Sequence, residues 1–119
     1  MDFKEKIIEK DKVKPSCPSK GVYEYWFVNK DTPSENVSFA LVNFDKGISS
    51  GNHKHSVEEI FYFLKGSGKV IAGTEEQNIK PGLCVYIPKN VLHNIVGTEN
   101  DNIEVLAILG GTNINTEYV

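Results

Sequence analysis

Residues 47–66 read GISSGNHKHSVEEIFYFLKG, and residues 82–93 read GLCVYIPKNVLH. These two stretches hold all three histidines of the 119-residue chain. His53 and His55 lie two positions apart, so their side chains project to the same side of an extended segment. His93 is distant in sequence and reaches that side only from a neighbouring strand. The spacing therefore predicts that the three imidazoles converge.

One carboxylate fits the same pattern. Glu59 shares the parity of His53 and His55, so it points to their side of the strand when no bulge intervenes. Four ligands from two adjacent strands form a plausible cage. We predict that His53, His55, Glu59 and His93 bind one metal ion inside a barrel.

The ligand types limit the ion without identifying it. Neutral imidazoles suit zinc, copper, nickel and iron, and the carboxylate adds affinity for iron(II) and manganese(II). We therefore expect one divalent metal ion, Fe, Mn, Zn, Ni or Cu. An octahedral ion would keep two positions for water or substrate and would support Lewis-acid or dioxygen chemistry.

The rest of the chain has the pattern of short β-strands separated by turns. Runs of this length, rich in aromatic and β-branched residues and bounded by Gly and Pro, predict an all-β sandwich or barrel. A hairpin is expected around residues 73–76. The predicted strands are residues 22–28, 37–44, 59–64, 69–72, 77–79, 83–87, 92–96 and 103–109.

Length predicts one domain, residues 1–119, with a core barrel at about 37–109 and an N-terminal extension at 1–36. The first dozen residues leave two structures open. Asp2 and Glu5 resemble a helix capping box, with Phe3, Ile7 and Ile8 on one helix face; the same residues also suit an edge strand. The ends, 1–15 and 110–119, are predicted to be mobile.

Composition argues against several classes of partner. The net charge is -3, and the N-terminal lysines alternate with acidic residues, so no nucleic-acid surface is expected. Two cysteines, Cys17 and Cys84, are too few for a disulfide scaffold. There is no apolar stretch of membrane-spanning length and no signal peptide pattern. We expect a cytoplasmic protein that binds neither nucleic acid nor membrane.

Both faces of the strand after the histidines are apolar. Phe61 and Phe63 share the face of Glu59, whereas Ile60, Tyr62 and Leu64 share the other. The inner face is covered by the barrel interior. The outer face needs a terminal segment or a second subunit, which predicts a homodimer.

The two stretches resemble the motifs of the cupin superfamily. The first motif matches at Gly47, His53, His55, Glu59 and Gly66, and the second matches at Gly82, Pro88 and His93. Asn90 stands where a glycine is usual, and Gly97 where an asparagine is usual. Asn tolerates a left-handed backbone, so the turn at Asn90 is expected to survive.

The resemblance spans roughly residues 37–109 and implies a cupin-type jelly-roll barrel, or double-stranded β-helix. It also implies that His53, His55, Glu59 and His93 bind one divalent metal, and that the protein is a homodimer, as family members often are. The family contains dioxygenases, decarboxylases, isomerases, lyases and non-enzymatic binding modules. The fold alone does not choose among them.

We expect a metal-dependent enzyme that acts on a small oxygen-rich metabolite. The alternative is a non-catalytic module that binds or senses a small ligand. No nucleophile is paired with a base, and no glycine-rich phosphate loop is present, so catalysis would depend on the metal. Catalytic side chains beyond the ligands stay unassigned. Phe61, Phe63, Tyr25, Tyr62 and Tyr86 are candidates for the pocket.

Overall fold

Eleven β-strands and one 3-10 helix make up the regular structure of residues 3–119, the part of the chain that the computed structural model describes. The helix is a single turn at Lys10–Lys12. The strands are β1 Ser16–Ser19, β2 Val22–Val28, β3 Ser38–Phe44, β4 His53–His55, β5 Glu59–Lys65, β6 Gly68–Ala72, β7 Glu75–Asn78, β8 Cys84–Ile87, β9 His93–Gly97, β10 Ile103–Leu109 and β11 Thr116–Tyr118.

The strands form two antiparallel sheets. The first has the order β1-β2-β3-β10-β5-β8, and the second has the order β11-β4-β9-β6-β7. Neighbours that are distant in sequence, such as β3 beside β10, give the crossovers of a jelly roll. The predicted all-β jelly-roll fold is confirmed. Within residues 3–119 no strand pairs from one sheet to the other, so the fold is a two-sheet sandwich and not a closed barrel.

The core lies between the sheets and follows the period of two. In β5, Glu59, Phe61 and Phe63 are buried, whereas Tyr62 and Leu64 are exposed on the other face. β10 continues the inner surface with Ile103, Val105, Ala107 and Leu109, which are all buried. Each large apolar side chain buried in this way contributes about 1.5–3 kcal/mol to folding.

Most predicted strands are present with small shifts at their ends. β2 and β10 match the prediction residue for residue. The hairpin has a shorter turn than expected, because Ala72 pairs with Glu75 and leaves only Gly73 and Thr74 between the strands. Gly73 has φ 59°, which suits a two-residue hairpin turn.

The chain ends differ from the prediction. Residues 3–9 form neither the helix nor the edge strand, and Asp2 of the expected capping box lies outside the described residues. Residues 116–118, at one of the ends predicted to be mobile, form β11, which pairs with β4. Within residues 3–119 no helix has the length and apolar character needed to span a membrane.

Candidate metal centre

Three strands bring the histidines and Glu59 together. His53 and His55 are the two ends of β4, and His53 is the cross-strand partner of His93, the first residue of β9. Glu59 begins β5 on the opposite sheet and points inward with Phe61. His53, Glu59 and His93 are buried, at 8%, 5% and 2% exposure. The sandwich interior therefore collects the four side chains, but from three strands of two sheets and not from two adjacent strands as predicted, because the chain crosses from β4 to β5 on the other sheet.

The four side chains meet at one point. One potential ligand atom from each of them lies within 4.8 Å of the others. Glu59 Oε1 is 3.1 Å from His93 Nε2 and 3.3 Å from His55 Nε2. The ring centroids of His53 and His93 are 4.2 Å apart. Distances of this kind allow one small cation to contact all four groups.

Hydrogen bonds at the far nitrogen orient each ring. His53 Nδ1 donates to the Gly51 carbonyl at 2.8 Å, and His93 Nδ1 donates to the Val91 carbonyl at 2.9 Å. A carbonyl only accepts, so Nδ1 carries the proton and Nε2 keeps its lone pair. Such partners fix the tautomer and orientation of metal-ligating histidines.

The third ring depends on a side chain. His55 Nδ1 lies 2.8 Å from Thr116 Oγ1. The Thr116 hydroxyl accepts from Nδ1 in the tautomer that leaves Nε2 free. Because Thr116 belongs to β11, the C-terminal strand positions one of the four groups.

The centre fits a cation. Glu59 Oε1 and His93 Nε2 are buried without a hydrogen-bond partner, although they lie 3.1 Å apart. Both atoms are acceptors when the ring is neutral, so lone pair faces lone pair. Buried unsatisfied acceptors are costly, and a cation at their centre would satisfy both. The donor set of three imidazoles and one carboxylate is also one that divalent transition metals prefer.

The protonation of the centre favours metal binding. Burial alone raises the pKa of the Glu59 carboxyl, but hydrogen bonds from His55 and His93, made when their Nε2 atoms carry a proton, outweigh burial and hold its pKa below the ordinary value. Burial lowers the pKa of the His53 imidazole, against the opposing effect of its bond to Gly51. Glu59 is therefore anionic and His53 neutral near pH 7, the forms in which they bind a metal.

A cavity of about 320 Å³ adjoins the centre. His53, His55 and Glu59 lie in its wall, and most of the remaining wall is apolar, including Phe61 and Trp26. A volume of this size is at the lower end for small-molecule sites. The Tyr118 ring lies 5.4 Å from the His53 ring and forms part of the rim.

The predicted pocket residues divide between the two faces. Phe61 lines the cavity, and Phe63 lies in the fully buried core. Tyr62 and Tyr86 are exposed and do not line the cavity. Tyr86 instead donates a 2.8 Å hydrogen bond to Glu58, which shows that Glu58 points away from the centre.

Tyr25 is also absent from the cavity wall, because it alternates with its β2 neighbours Glu24 and Trp26, which do line it. Glu24, Thr116 and Tyr118 were missed by sequence analysis. The parity of Glu24 with Trp26 was the one signal available for Glu24.

The motif turns have the backbone that the sequence requires. Gly47, Gly66 and Gly82 have φ values of 76°, 119° and 90°. Asn90, where a glycine was expected, has φ 64° and is the one non-glycine residue with positive φ in residues 3–119. The prediction that Asn90 tolerates this turn is confirmed.

Comparison with known proteins gives a family match and more distant relatives. A family model described as "Cupin domain" matches residues 40–109. Auxin-binding protein 1 of Arabidopsis thaliana is 32% identical over 82 residues, which are 61% of this chain and 41% of that protein. The oxalate-binding protein of Thermotoga maritima is 35% identical over 72 residues, 60% of each chain. The chain thus spans less than two thirds of the length of either relative.

Solved structures show the same architecture at lower identity. The polyketide cyclase RemF from Streptomyces resistomycificus superposes with a TM-score of 0.81 and 15% identity, covering 98% of this chain and 87% of that one. At this identity the likeness concerns the fold.

Proposed function

The chain belongs to the cupin domain family, and from that premise we propose that His53, His55, Glu59 and His93 bind one divalent metal ion at which a small oxygen-rich molecule reacts. One observation carries the proposal. Buried acceptor atoms of Glu59 and His93 face each other unsatisfied, beside a cavity that admits a small molecule. A cation there would satisfy both acceptors and would supply metal chemistry next to the cavity.

The chain's own residues have defined tasks in this proposal. The bound metal would supply Lewis-acid or dioxygen chemistry, depending on its identity. The Gly51 and Val91 carbonyls and the Thr116 hydroxyl hold the rings in position. The apolar cavity wall excludes water and strengthens electrostatic interactions inside the site.

A non-catalytic binding module is the second candidate function. It is favoured by the relatives, since both the Arabidopsis thaliana and the Thermotoga maritima proteins have names that describe ligand binding. Such a module would use the same metal and cavity to hold a ligand without converting it. The two candidate functions differ only in whether the bound ligand is converted to a product.

Metal analysis combined with turnover assays separates the candidates. Protein purified without added metal is analysed for its ion, reconstituted, and offered catechols, thiols and diketones. Iron with oxygen uptake supports dioxygenase chemistry, and zinc, nickel or manganese with turnover but no oxygen uptake supports isomerase, lyase or decarboxylase chemistry. Tight binding without turnover supports the module. Equal activity of wild type and His93→Gln would contradict a metal-centred function.

We also propose that the chain forms a homodimer through the outer face of the first sheet. Ile60 on β5 pairs with Ile108 on β10 and with Tyr86 on β8, which places the three in one row. Ile108, Tyr86, Tyr62 and Leu64 are exposed large hydrophobic residues on this face. Contiguous apolar surface of this kind marks interaction sites. Sedimentation velocity is expected to show a dimer that Leu64→Glu dissociates, and a wild-type monomer at micromolar concentration would contradict the proposal.

A further inference from the structure

One acidic side chain lines the cavity without belonging to the metal centre. Glu24 lies on β2, and its cross-strand partner is Val42 on β3. Val22, Glu24 and Trp26 alternate along the strand and all three line the cavity. A glutamate here interrupts a wall that is otherwise mostly apolar, and it is separated from the metal centre by two strands of the first sheet.

Glu24 is held in place by one of its two oxygens. Trp26 Nε1 donates to Glu24 Oε1 at 3.2 Å, and Ser16 Oγ donates weakly to the same atom at 3.5 Å. In the described part of the chain, Oε2 accepts no hydrogen bond from another residue. The side chain is thus fixed in direction and retains one free acceptor for a molecule in the cavity.

The charges around the cavity are unbalanced. All 13 basic residues of the chain other than histidine are lysines, and none of the lysines in residues 3–119 lines the cavity. Burial raises the pKa of the Glu24 carboxyl and the Glu59 charge acts in the same direction, whereas the hydrogen bonds from Trp26 and Ser16 and the His55 imidazole act in the opposite direction. Another anionic group at this point would be unfavourable.

The metal centre offers limited compensation for an anionic ligand. A divalent ion with one carboxylate keeps one net positive charge, which a single anionic chelating group neutralises. A second carboxylate on the same ligand would therefore face Glu24 without a cation. An ammonium or hydroxyl group would instead donate to the free Oε2.

We propose that Glu24 determines the ligand class of this cavity: a molecule that chelates the metal through oxygen atoms, has an apolar body, and carries a hydrogen-bond donor, cationic in preference to neutral, at its far end. The proposal rests on the proposed metal site and deepens it. It also disfavours ligands that keep a second carboxylate free beyond the chelating head, because that carboxylate would lie against Glu24. Specificity then comes from repulsion of an anionic group by Glu24 as well as from attraction of a hydrogen-bond donor.

Three catechols that share one chelating head test the proposal. The tails are neutral in 4-ethylcatechol, cationic in 4-(2-aminoethyl)catechol and anionic in 3,4-dihydroxyphenylacetate. Binding to the zinc-loaded protein is measured by calorimetry without oxygen. We expect the cationic tail to bind at least about tenfold more tightly than the neutral one, the smallest effect typical of a hydrogen bond to a charged group. The anionic tail is expected to bind at least about tenfold more weakly.

Two variants assign the effect to Glu24. Glu24→Gln keeps the side-chain size and an oxygen for Trp26, and is expected to reduce the differences among the three catechols to about threefold or less. Glu75→Gln removes the same charge from an exposed position on β7 and is expected to keep the wild-type order. Zinc content and thermal unfolding of each variant are measured before the titrations.

The outcomes separate this proposal from the metal site. A zinc-loaded wild type that binds the three tails equally, or binds none, overturns the role of Glu24. The same holds when Glu24→Gln, with full zinc, discriminates as the wild type does. A wild type that takes up no zinc or other divalent metal overturns the proposed function itself.

Discussion

Thr116→Val tests whether bonds at Nδ1 hold the histidines in place. His53 and His93 are oriented by backbone carbonyls, which a substitution does not remove. His55 depends instead on the Thr116 hydroxyl at 2.8 Å. Valine replaces that hydroxyl by a methyl group of similar size, and its β-branched side chain suits β11. The substitution therefore removes one bond and leaves the strand in place.

The expected loss follows from the surroundings of His55. Removing a hydrogen-bond partner of a metal-ligating histidine typically weakens metal binding by about 10- to 100-fold, or about 1.4–2.7 kcal/mol. The His55 side chain is 12% exposed, and Thr116 is exposed. Because water can replace part of the lost bond, we expect the lower end, about tenfold.

A competition titration measures this loss. Zinc is distributed between the protein and a chromogenic chelator, and wild type is compared with Thr116→Val and Thr116→Ser. Serine keeps the hydroxyl and is expected to bind nearly as the wild type does. Thr74→Val, in the exposed β6–β7 turn, controls for a general effect of the substitution. Wild-type affinity in Thr116→Val, or an equal loss in Thr116→Ser, would refute the reasoning.

Three further predictions concern the fold and its charges. Gly66→Ala places a Cβ 2.7 Å from a backbone oxygen, at a residue with φ 119°. It is expected to lower the free energy of unfolding more than Gly51→Ala does, because Gly51 has φ 82° and open space where a Cβ would lie. Urea unfolding compares the two variants, and equal losses of stability would contradict a clash at Gly66. Phe63→Ala removes a side chain that is 0% exposed. It is expected to reduce the free energy of unfolding by about 3–5 kcal/mol in the same assay. A reduction below about 1 kcal/mol would mean that the core is not packed as described. The folded-state pKa of Glu59 is lowered from 4.5, so its carboxylate stabilises the metal-free fold above that pH and loses this effect as the pH falls through the lower folded value. Metal-free wild type is expected to lose stability on acidification more steeply than Glu59→Gln, and parallel curves from acid to neutral pH would contradict this.

The sequence predicted what depends on local periodicity. β2 and β10 have alternating or continuous runs of aromatic and β-branched residues, and their bounds were predicted without error. The shared direction of His53 and His55 followed from parity on β4, because an extended strand leaves little choice of direction. The covered and exposed faces of β5 followed from the same rule.

What was missed depends on pairing between distant segments. β1 contains Pro18, which argues against a strand in sequence, yet an edge strand tolerates it. β11 is three residues long, and only its pairing with β4 makes it a strand. β11 contributes Thr116 to the site, next to His55. This placement depends on the register in which β11 pairs with β4, and no local sequence pattern predicts it. Glu24 was missed because its position in the cavity wall depends on how the two sheets face each other.

The number of metal ions per chain tests the central claim most directly. Wild type and four variants, His53→Gln, His55→Gln, Glu59→Gln and His93→Gln, are loaded with a divalent metal, freed of excess by gel filtration, and analysed for metal and protein. We predict one ion per wild-type chain and a clear loss in every variant, while circular dichroism shows the same β-sheet content in all five proteins. A wild type without bound metal, or a His93→Gln variant with full occupancy, would contradict the account.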